Sequence, residues 1–435
     1  MELPPLPQEV EAAIARLAAA GIRAWLVGGA PRDLLCARVP RDFDLVVDAP
    51  LERVRRALPG AVAIAGVRPL GLRPGPPRIE IAGFRDGADS LEADLRLRDF
   101  GVNAIAFEVG ARRFIDPMGG RADLAQRQLR SPEPDSAFRS DPLRVLRAAR
   151  LAADFGLQID STTRLAMERD AWRLTECAGE RVRDELLRLL ELDDVAEALR
   201  ELRNCGGLAV VLPELLRTVG VAQNRHHIHD VFTHSLRVCE LVPARGELRL
   251  AALLHDAAKP ESKLFSDHRA DFSFLRHDLL AAPATRAVAT RLVLSHQSAD
   301  RLERLVRHHL LYPDRLATAA AIRRMLRRVG TDLLEDLLAL RRADLASRED
   351  SGSAPALWLE TEREIARVIE RDGERMGAQL ALSGSDVMRE LDIGPGAEVG
   401  RWIERMRQRV VEQPDMNRRD QLLRWLHQNA GREDN

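Results

Sequence analysis

Leu26-Val-Gly-Gly-Ala-Pro-Arg-Asp33, followed by Asp42-Phe-Asp44, is the stretch that decides the fold of this 435-residue chain. The apolar run that leads into the glycines, Ala24-Trp-Leu-Val27, predicts a buried strand. The two glycines allow a sharp turn, and they let a phosphate approach main-chain N–H groups closely. The residues from Arg32 to Leu35 predict the start of a short helix, whose N-terminus favours an anion. The stretch therefore predicts a strand, a phosphate-binding turn and a helix in that order.

A pair of carboxylates follows on the next predicted strand, Arg41-Asp-Phe-Asp-Leu-Val-Val47. Strand alternation puts Asp42 and Asp44 on one face, with Phe43 and Leu45 on the other. Two neighbouring carboxylates repel each other unless a cation lies between them. Mg²⁺ is a hard cation that prefers carboxylate and phosphate oxygens, so this strand predicts a Mg²⁺ site.

The order strand, glycine pair, helix and Asp-x-Asp strand resembles the nucleotidyltransferase superfamily that includes DNA polymerase beta. The form Gly-Gly-x-x-Arg-Asp is similar to its class II tRNA nucleotidyltransferase and bacterial poly(A) polymerase branch. The resemblance implies that Asp42 and Asp44 hold two Mg²⁺ ions. It also implies a third carboxylate from a neighbouring strand, for which Glu80 on the predicted strand Arg78-Ile-Glu-Ile-Ala82 is the candidate; an ordinary strand-edge glutamate is the alternative. Four residues would shape the triphosphate and metal site: Gly28, Gly29, Arg32 and Asp33.

A second motif, Leu97-Arg-Asp-Phe-Gly-Val-Asn103, resembles the family's Arg-Arg-Asp-Phe-Thr-(Ile/Val)-Asn-Ala. Its first arginine is replaced by leucine here and its threonine by Gly101. Three residues match the motif: Arg98, Asp99 and Asn103. In the family the Arg-Asp pair contacts nucleotide phosphate and ribose hydroxyl, which suits a guanidinium donor and a carboxylate acceptor. The alternative is a surface salt bridge beside a strand.

A third resemblance lies in Ser140-Asp-Pro-Leu-Arg144, where Ser or Asp before Pro predicts a helix start. It is similar to the family's Glu-Asp-x-x-Arg, whose Asp and Arg hydrogen-bond the base edge, with Ser140 in place of Glu. Asp141 would accept from the amine of cytosine or adenine, and Arg144 would donate to the acceptor beside it. Arg147 and Arg150 extend the basic side of the same helix, and an N-cap with solvated arginines is the alternative. The helix predicted over residues 178–190 resembles another motif of the family, its fifth, and is interpreted as scaffold.

A separate histidine-rich segment follows, beginning at His226-His-Ile-His-Asp-Val-Phe-Thr-His234. A His-Asp pair after an apolar helix, with an earlier histidine, resembles the HD metal-dependent phosphohydrolase superfamily. The resemblance implies four ligands for Mn²⁺, Ni²⁺ or another divalent metal: His234, His255, Asp256 and Asp344. His277 and either His308 or His309 would support a second metal. The alternative is a degenerate domain that keeps its histidines for packing.

Composition gives no global signal for a nucleic-acid or membrane partner. Charged residues make up 31% of the chain and aromatic residues 4%, and the formal net charge is −1, so an RNA ligand would need a local basic surface. Lysine occurs only at Lys259 and Lys263, so nearly all basic residues are arginine. Four scattered cysteines indicate neither a zinc site nor a disulfide framework. The sequence contains no apolar run of spanning length and no signal peptide, which favours a cytoplasmic protein with no membrane partner.

The predicted fold class is α+β, with a small mixed head followed by a long all-helical body. The head, resembling DNA polymerase beta, covers residues 1–138, and a helical nucleotide- and RNA-binding neck covers residues 139–220. An HD domain follows at 221–350, and a helical tail at 351–435 is expected to contact tRNA, with Arg401, Arg405 and Arg407 as candidates. The oligomeric state stays open.

Taken together, the resemblance implies template-independent nucleotidyl transfer from CTP, and ATP where possible, to the 3′ end of tRNA. Between Phe84-Arg85 and the second motif the chain has only Asp86-Gly-Ala-Asp-Ser-Leu-Glu92. CCA-adding relatives carry a longer loop there, and the short form resembles enzymes that add only CC, so CC addition and full CCA addition stay nearly level. Poly(A) synthesis is the alternative within the class. An HD phosphohydrolase and an RNA-binding protein with an inactive head are the alternatives outside it, and the intact Asp-x-Asp argues against the last.

Overall fold

The computed structural model describes residues 5–63, 70–72, 77–85, 87–224, 228–266, 271–348, 354–376 and 379–430. The chain divides into two compact units, Met1–Pro213 and Glu214–Asn435. The first contains a mixed sheet followed by helices, and the second is largely helical. The predicted α+β class with a small mixed head and a helical body is therefore confirmed. No described helix is long and apolar enough to cross a membrane.

Seven strands form one sheet in the N-terminal unit. They are β1 (Ala24–Val27), β2 (Asp42–Val47), β3 (Ala61–Ala63), β4 (Leu70–Leu72), β5 (Arg78–Gly83), β6 (Ala106–Glu108) and β7 (Arg113–Ile115). Their spatial order is β3-β4-β5-β2-β1-β6-β7. Strands β2 and β5 run parallel, and every other neighbouring pair is antiparallel. The parallel register sets Asp44 opposite Glu80.

A first group of helices accompanies this sheet, and a second group follows it along the chain. The former are α1 (Gln8–Ala19), α2 (Gly29–Leu35), α3 (Leu51–Ala57), α4 (Leu91–Arg96) and α5 (Gly120–Ala125). The latter are α6 (Pro134–Ser140), α7 (Arg144–Phe155), α8 (Ser161–Asp170), α9 (Gly179–Leu190), α10 (Val195–Asn204) and α11 (Gly207–Val211). Two short strands, β8 (Gln128–Leu129) before α6 and β9 (Gln158–Ile159) after α7, pair in parallel with each other. Short 3₁₀ turns lie at Gly101–Asn103 and Ala171–Glu176.

The C-terminal unit consists of helices and one hairpin. Its helices are α12 (Pro213–Leu216), which begins at the division, α13 (Val231–Leu241), α14 (Gly246–Leu254), α15 (Lys259–Ser262), α16 (His277–Arg291), α17 (His296–His308), α18 (Ala319–Val329), α19 (Leu334–Ala346), α20 (Ala354–Met376), α21 (Gly384–Leu391), α22 (Ala397–Glu412) and α23 (Arg419–Ala430). Short 3₁₀ turns lie at Pro313–Leu316, Thr331–Leu333 and Pro414–Met416. The hairpin pairs β10 (Lys263–Ser266) with β11 (Asp271–Phe274). This hairpin was not predicted from the sequence.

Burial on the two faces of the head sheet decides where the carboxylates lie. Phe43 and Leu45 of β2 are buried in a core that includes residues of α1 and α3. Val46, on the opposite face, packs in a second core with residues of β1 and α4. Because side chains alternate along a strand, Asp42 and Asp44 share the face of Val46. The predicted orientation of the Asp-x-Asp pair is thus explained by burial of the residues between them.

A close backbone contact joins the second motif to α5. A Cβ atom on Gly120 would lie 2.0 Å from the Gly101 carbonyl oxygen, and one on Gly101 would lie 2.6 Å from Asp123 Oδ2. The resembled motif has threonine where this chain has Gly101. Here the Asp123 carboxylate occupies the space that a larger residue would need.

Replacing Gly120 by alanine should therefore destabilise the protein, because the contact is with backbone and cannot be relieved by a side-chain rotation. The expected loss is roughly 1–3 kcal/mol or more. Thermal and denaturant unfolding of Gly120→Ala would measure it. Gly110→Ala is the matched control, since no atom lies within 4 Å of its added Cβ. Equal unfolding midpoints for the two variants would contradict the contact.

Candidate functional site

Three sequence motifs meet at Gly28, which lies between β1 and α2. Its φ is +72°, a left-handed conformation that favours glycine. A Cβ atom there would lie 3.1 Å from Asp44 Oδ2 and 3.4 Å from Arg98 Nη1. The glycine pair, the Asp-x-Asp strand and the second motif therefore converge on one concave face. Helix α2 begins at Gly29, earlier than the predicted start at Arg32.

The electrostatics of this face fit a divalent cation. The protein that surrounds Asp44 desolvates its carboxyl and, with the neighbouring Glu80, raises its pKa above the ordinary value, while Arg98 opposes the shift. Although surrounded in this way, Asp44 keeps surface open to solvent, as Asp42 does. Glu80 forms an ion pair with Arg78, with Oε1 and Nη2 2.5 Å apart. A cation among these carboxylates would relieve their mutual repulsion.

The head carboxylates do not form a closed cage by themselves. Among the described residues, triads of donor atoms within 4.8 Å of one another occur only in the C-terminal unit. An open arrangement suits Mg²⁺, which proteins usually hold with one or two carboxylates plus substrate phosphate oxygens. Asp42 and Asp44 present such carboxylates, with Glu80 beside Asp44 on the adjacent strand.

Arg98 is held toward this face by a buried carboxylate. Asp94 has no exposed side-chain surface and lies 3.0 Å, through Oδ2, from both Arg98 Nη2 and Arg85 Nη1. Its other oxygen accepts from the Arg85 backbone N–H at 2.9 Å. Asp94 therefore joins the start of the short connection after β5 to the guanidinium beside Gly28. Neither a role for Asp94 nor its contact with Arg85 was predicted from the sequence.

A second buried network contains the other matched residues. Arg32 donates to Asn103 Oδ1 at 2.6 Å, and Asn103 donates to Asp99 Oδ1 at 3.0 Å. Arg147 of α7 donates to Asp99 Oδ2 at 2.9 Å. Although burial acts to raise it, Arg147 and Asn103 hold the pKa of Asp99 below its ordinary value. Asp33 completes the network by accepting from Arg32 at 2.7 Å.

Within this network, the Arg32 side chain is surrounded by other side chains of the protein. Its guanidinium is buried and lies 4.2 Å from the centre of the Phe155 ring. Arg150 is likewise engaged, because it forms an ion pair with Glu185 of α9. These arginines join the sheet, the second motif and the following helices through charge-assisted hydrogen bonds.

The candidate base-reading pair lies where α6 ends and α7 begins. The prediction that Ser140 or Asp141 caps this helix is wrong, because α7 begins at Arg144, its N-cap position is Leu143, and no side chain caps it. Asp141 lies before it in an extended conformation (φ −147°, ψ 93°). The residue before a proline is disfavoured in helical conformation, and Pro142 follows Asp141. Arg144 donates to the Leu97 carbonyl at 3.0 Å.

Arg181 of α9, interpreted as scaffold from the sequence, reaches Asp141. Its Nη2 lies 3.0 Å from Asp141 Oδ1 and 3.2 Å from Oδ2. Burial lowers the pKa of the Arg144 guanidinium, while the nearby Asp99 and Asp141 oppose that shift. No pattern within the chain indicates a contact between residues 40 positions apart.

In the C-terminal unit, four imidazoles surround Asp256. Its carboxylate lies 3.1 Å from both His255 Nε2 and His277 Nε2, 3.4 Å from His234 Nε2 and 3.9 Å from His309 Nε2. The same residues form two candidate metal triads, His234–His255–Asp256 and Asp256–His277–His309. The donors of both triads are buried.

The other ring nitrogen of each imidazole faces an oxygen atom. His255, His277 and His309 direct Nδ1 at backbone carbonyls 2.6, 2.8 and 2.7 Å away. His234 Nδ1 lies 3.0 Å from Ser347 Oγ. Such contacts orient a metal-ligating histidine so that Nε2 is available. Buried His255 Nε2 has no partner with hydrogen-bond geometry among the described residues, which fits a metal at this position.

Cationic side chains compete for the two carboxylates of this cluster. Lys259 Nζ lies 2.6 Å from Asp256, and Arg341 and Arg348 lie 2.6 and 2.9 Å from Asp344. Although burial opposes it, Arg348 and His234 hold the pKa of Asp344 well below its ordinary value. Asp344 lies 3.3 Å from His234 Nε2 but belongs to neither triad.

Two details of the histidine prediction depend on position. Of the two adjacent histidines, His309 is buried and belongs to one of the triads. His308 belongs to neither triad, and partial burial together with Arg328 lowers its pKa to about 4. His226 and His227, at the start of the segment, lie outside the described residues. The cations around Asp256 and Asp344 were not predicted.

Comparisons with known proteins show the family to which this chain belongs. Sequence models of the poly A polymerase head domain and of the probable RNA- and SrmB-binding site of polymerase A match residues 24–130 and 156–218. The chain is 36% identical to an A-adding tRNA nucleotidyltransferase of Deinococcus radiodurans, over 87% of this chain and 89% of that protein. The chain belongs to the tRNA nucleotidyltransferase and poly(A) polymerase family.

Other family members resemble it over nearly their whole length. A CC-adding tRNA nucleotidyltransferase of Thermus thermophilus is 35% identical over 94% of each chain. The crystal structure of the Bacillus stearothermophilus CCA-adding enzyme in complex with CTP superposes with a TM-score of 0.73 at 25% identity, covering 98% of each chain. The resemblance to the tRNA nucleotidyltransferase and poly(A) polymerase family is thus confirmed over nearly the whole chain.

Proposed function

We propose that this protein transfers nucleotides to the 3′ end of tRNA, with CTP as the substrate of its main activity. The tRNA 3′-OH attacks the α-phosphate of the nucleotide, the new phosphodiester bond forms, and pyrophosphate leaves. The observation that carries this proposal is the convergence of Asp44 and Arg98 on Gly28, since both side chains lie within 3.4 Å of the point where a Cβ atom on that glycine would be. A cytoplasmic location follows from this substrate.

Each group on the head face has a role suited to its chemistry. Asp42 and Asp44 would hold Mg²⁺, with Glu80 as the third carboxylate. Bound Mg²⁺ supplies a lower pKa for the attacking hydroxyl and charge stabilisation for the leaving pyrophosphate. Gly28 and Gly29 leave room for the triphosphate.

The second motif and its surroundings complete the nucleotide site. Arg98, held by Asp94, would bind phosphate, and Asp99 would accept from the ribose. Arg32, Asp33 and Asn103 would orient these groups through the buried network, with Arg147 and Arg150 fixing them to α7 and α9.

The base would be read by Asp141 and Arg144. An ionised carboxylate can only accept, so it suits the amine of cytosine or adenine, and the guanidinium can only donate. Uracil presents a carbonyl where cytosine has its amine, which would set two acceptors against each other. This chemistry favours CTP and ATP without a nucleic-acid template.

We further propose CC addition. The chain has only residues 84–90 between the end of β5 at Gly83 and the start of α4 at Leu91. Asp94 binds Arg85 at the start of this connection, so little chain remains for a loop that could remodel the site between nucleotides. The CC-adding Thermus relative supports this choice. The A-adding Deinococcus relative has a similar sequence identity to this chain, so terminal A addition is the rival activity.

Two tRNA acceptors separate these activities. A tRNA that lacks its 3′ CCA and a tRNA that ends in CC are each incubated with CTP, with ATP, or with both. CC addition requires two C residues on the first acceptor and none on the second. A single A on the CC-ended acceptor would overturn the choice in favour of A addition, both together would indicate CCA addition, and long A tails would indicate poly(A) synthesis.

The His–Asp cluster supports a second candidate function, a metal-dependent phosphohydrolase. The observation that favours it is the convergence of four oriented imidazoles on Asp256. The ligands would be His234, His255 and Asp256, with Asp344 beside them, and His277 and His309 would support a second metal. Neutral imidazole nitrogens and carboxylates suit Mn²⁺ or Ni²⁺.

Metal analysis of the purified full-length protein after incubation with Mn²⁺ or Ni²⁺ would test this site. The wild type should retain metal in stoichiometric amount, and His255→Ala and Asp256→Ala should lose most of it. His309→Ala should lose metal while His308→Ala, its neighbour outside both triads, should not. Negligible metal in the wild type would assign the cluster a structural role.

A further inference from the structure

The Asp141 carboxylate is oriented by a residue of another helix. Asp141 lies between α6 and α7 in an extended conformation, outside both helices. Ser140, which replaces the family's glutamate, donates its hydroxyl to the Ala137 carbonyl at 2.9 Å and so completes the end of α6. Arg181 meets the carboxylate instead, at 3.0 and 3.2 Å from its two oxygens.

We propose that Arg181 is a positioning residue for base selection, which holds the Asp141 carboxylate in the orientation that accepts from the amine of cytosine or adenine. This inference rests on the proposed nucleotidyl transfer. Arg181 approaches both oxygens with a single nitrogen, whereas a carboxylate has about four acceptor positions. Acceptor capacity therefore remains for the base.

The exposure of the pair argues for orientation over stability. The side chains of Arg181 and Asp141 are 53% and 24% exposed, and ion pairs this open to solvent contribute little to folding. A hydrogen-bonding site that rejects a wrong base depends on the direction of its acceptor. Loss of Arg181 should therefore change nucleotide preference more than it changes folding.

The partner in base reading is anchored in a similar way. Arg144 donates to the Leu97 carbonyl at 3.0 Å, so a backbone group of the second motif orients its guanidinium. Each member of the pair is thus held by an element outside its own motif. Helix α9 carries a second such contact one turn later, where Glu185 pairs with Arg150 of α7.

Arg181→Met tests the inference because it removes the donors and keeps an unbranched side chain. Kinetics with CTP and with UTP on the same tRNA acceptor would give kcat and KM for each. The ratio of kcat/KM for CTP to that for UTP should fall about 10-fold or more. The unfolding midpoint and tRNA Kd should stay at wild-type values. Arg181→Lys should restore part of the ratio, and Arg188→Met, an exposed arginine on the same helix, should leave it unchanged.

A double-mutant cycle shows whether Arg181 acts through Asp141. In an Asp141→Ala background, Arg181→Met should cause no further loss of the CTP-to-UTP ratio. An equal loss in both backgrounds, or an unchanged ratio in Arg181→Met alone, would overturn the inference. If the wild-type protein still extends tRNA, either of these results would leave the proposed function intact. Failure of the wild type to extend any tRNA acceptor would overturn that function itself.

Discussion

Replacing either Asp42 or Asp44 by alanine is expected to abolish nucleotide incorporation. Both side chains lie on the open face of β2, and Asp44 approaches Gly28 and Arg98 there. A metal site stabilises the transition state by several kcal/mol, and each 1.36 kcal/mol is a factor of ten, so the rate should fall about 10³-fold or more. Incorporation of a single CMP into a tRNA acceptor with Mg²⁺ is the measurement.

The fold and the tRNA affinity of these variants should change little. Both residues are exposed, and removal of either carboxylate takes away one of the like charges that face each other there. Asp48→Ala is the matched control, because Asp48 follows the same strand but pairs with Arg23. Near-wild-type incorporation by both Asp42→Ala and Asp44→Ala would show that the reaction takes place elsewhere.

Loss of base discrimination is the expected result of changing Asp141 or Arg144. Sites built on hydrogen bonds reject analogues by up to about 10⁴-fold, because a wrong base leaves polar groups unpaired. Asp141→Ala should lower the preference for CTP over UTP by roughly 10²-fold or more, and Arg144→Ala should lower both rate and preference. Competition of all four nucleotides for one tRNA acceptor would measure this.

A measurement of tRNA affinity distinguishes a loss of base reading from a general loss of RNA binding. Neither variant should alter the tRNA Kd substantially, since the proposed role concerns the incoming nucleotide. Arg188→Met again serves as the control for loss of a positive charge on the neighbouring helix. If CTP preference were unchanged in both Asp141→Ala and Arg144→Ala, the base would be read by other residues.

Local patterns in the sequence determined the head of this protein to a large extent. Alternation of buried Phe43 and Leu45 with acidic residues specified which side of β2 carries Asp42 and Asp44, because strand periodicity depends only on neighbouring residues. Motif order indicated the family, which the comparisons confirm. Pro142 also disfavours a helical conformation for Asp141, which is extended in the structure.

Only the tertiary structure decided how separate motifs combine. Parallel pairing of β2 with β5 places Glu80 beside Asp44, and no periodicity within either strand specifies its partner. Arg181 meets Asp141 across 40 positions, and Arg147 meets Asp99 across 48. The four imidazoles meet Asp256 because separate helices pack together. Sequence patterns report local conformation and burial, whereas contacts between distant side chains depend on how whole elements pack. The sequence by itself therefore determined the main elements of the head and the chemistry of its motifs, and the fold decided which charges meet.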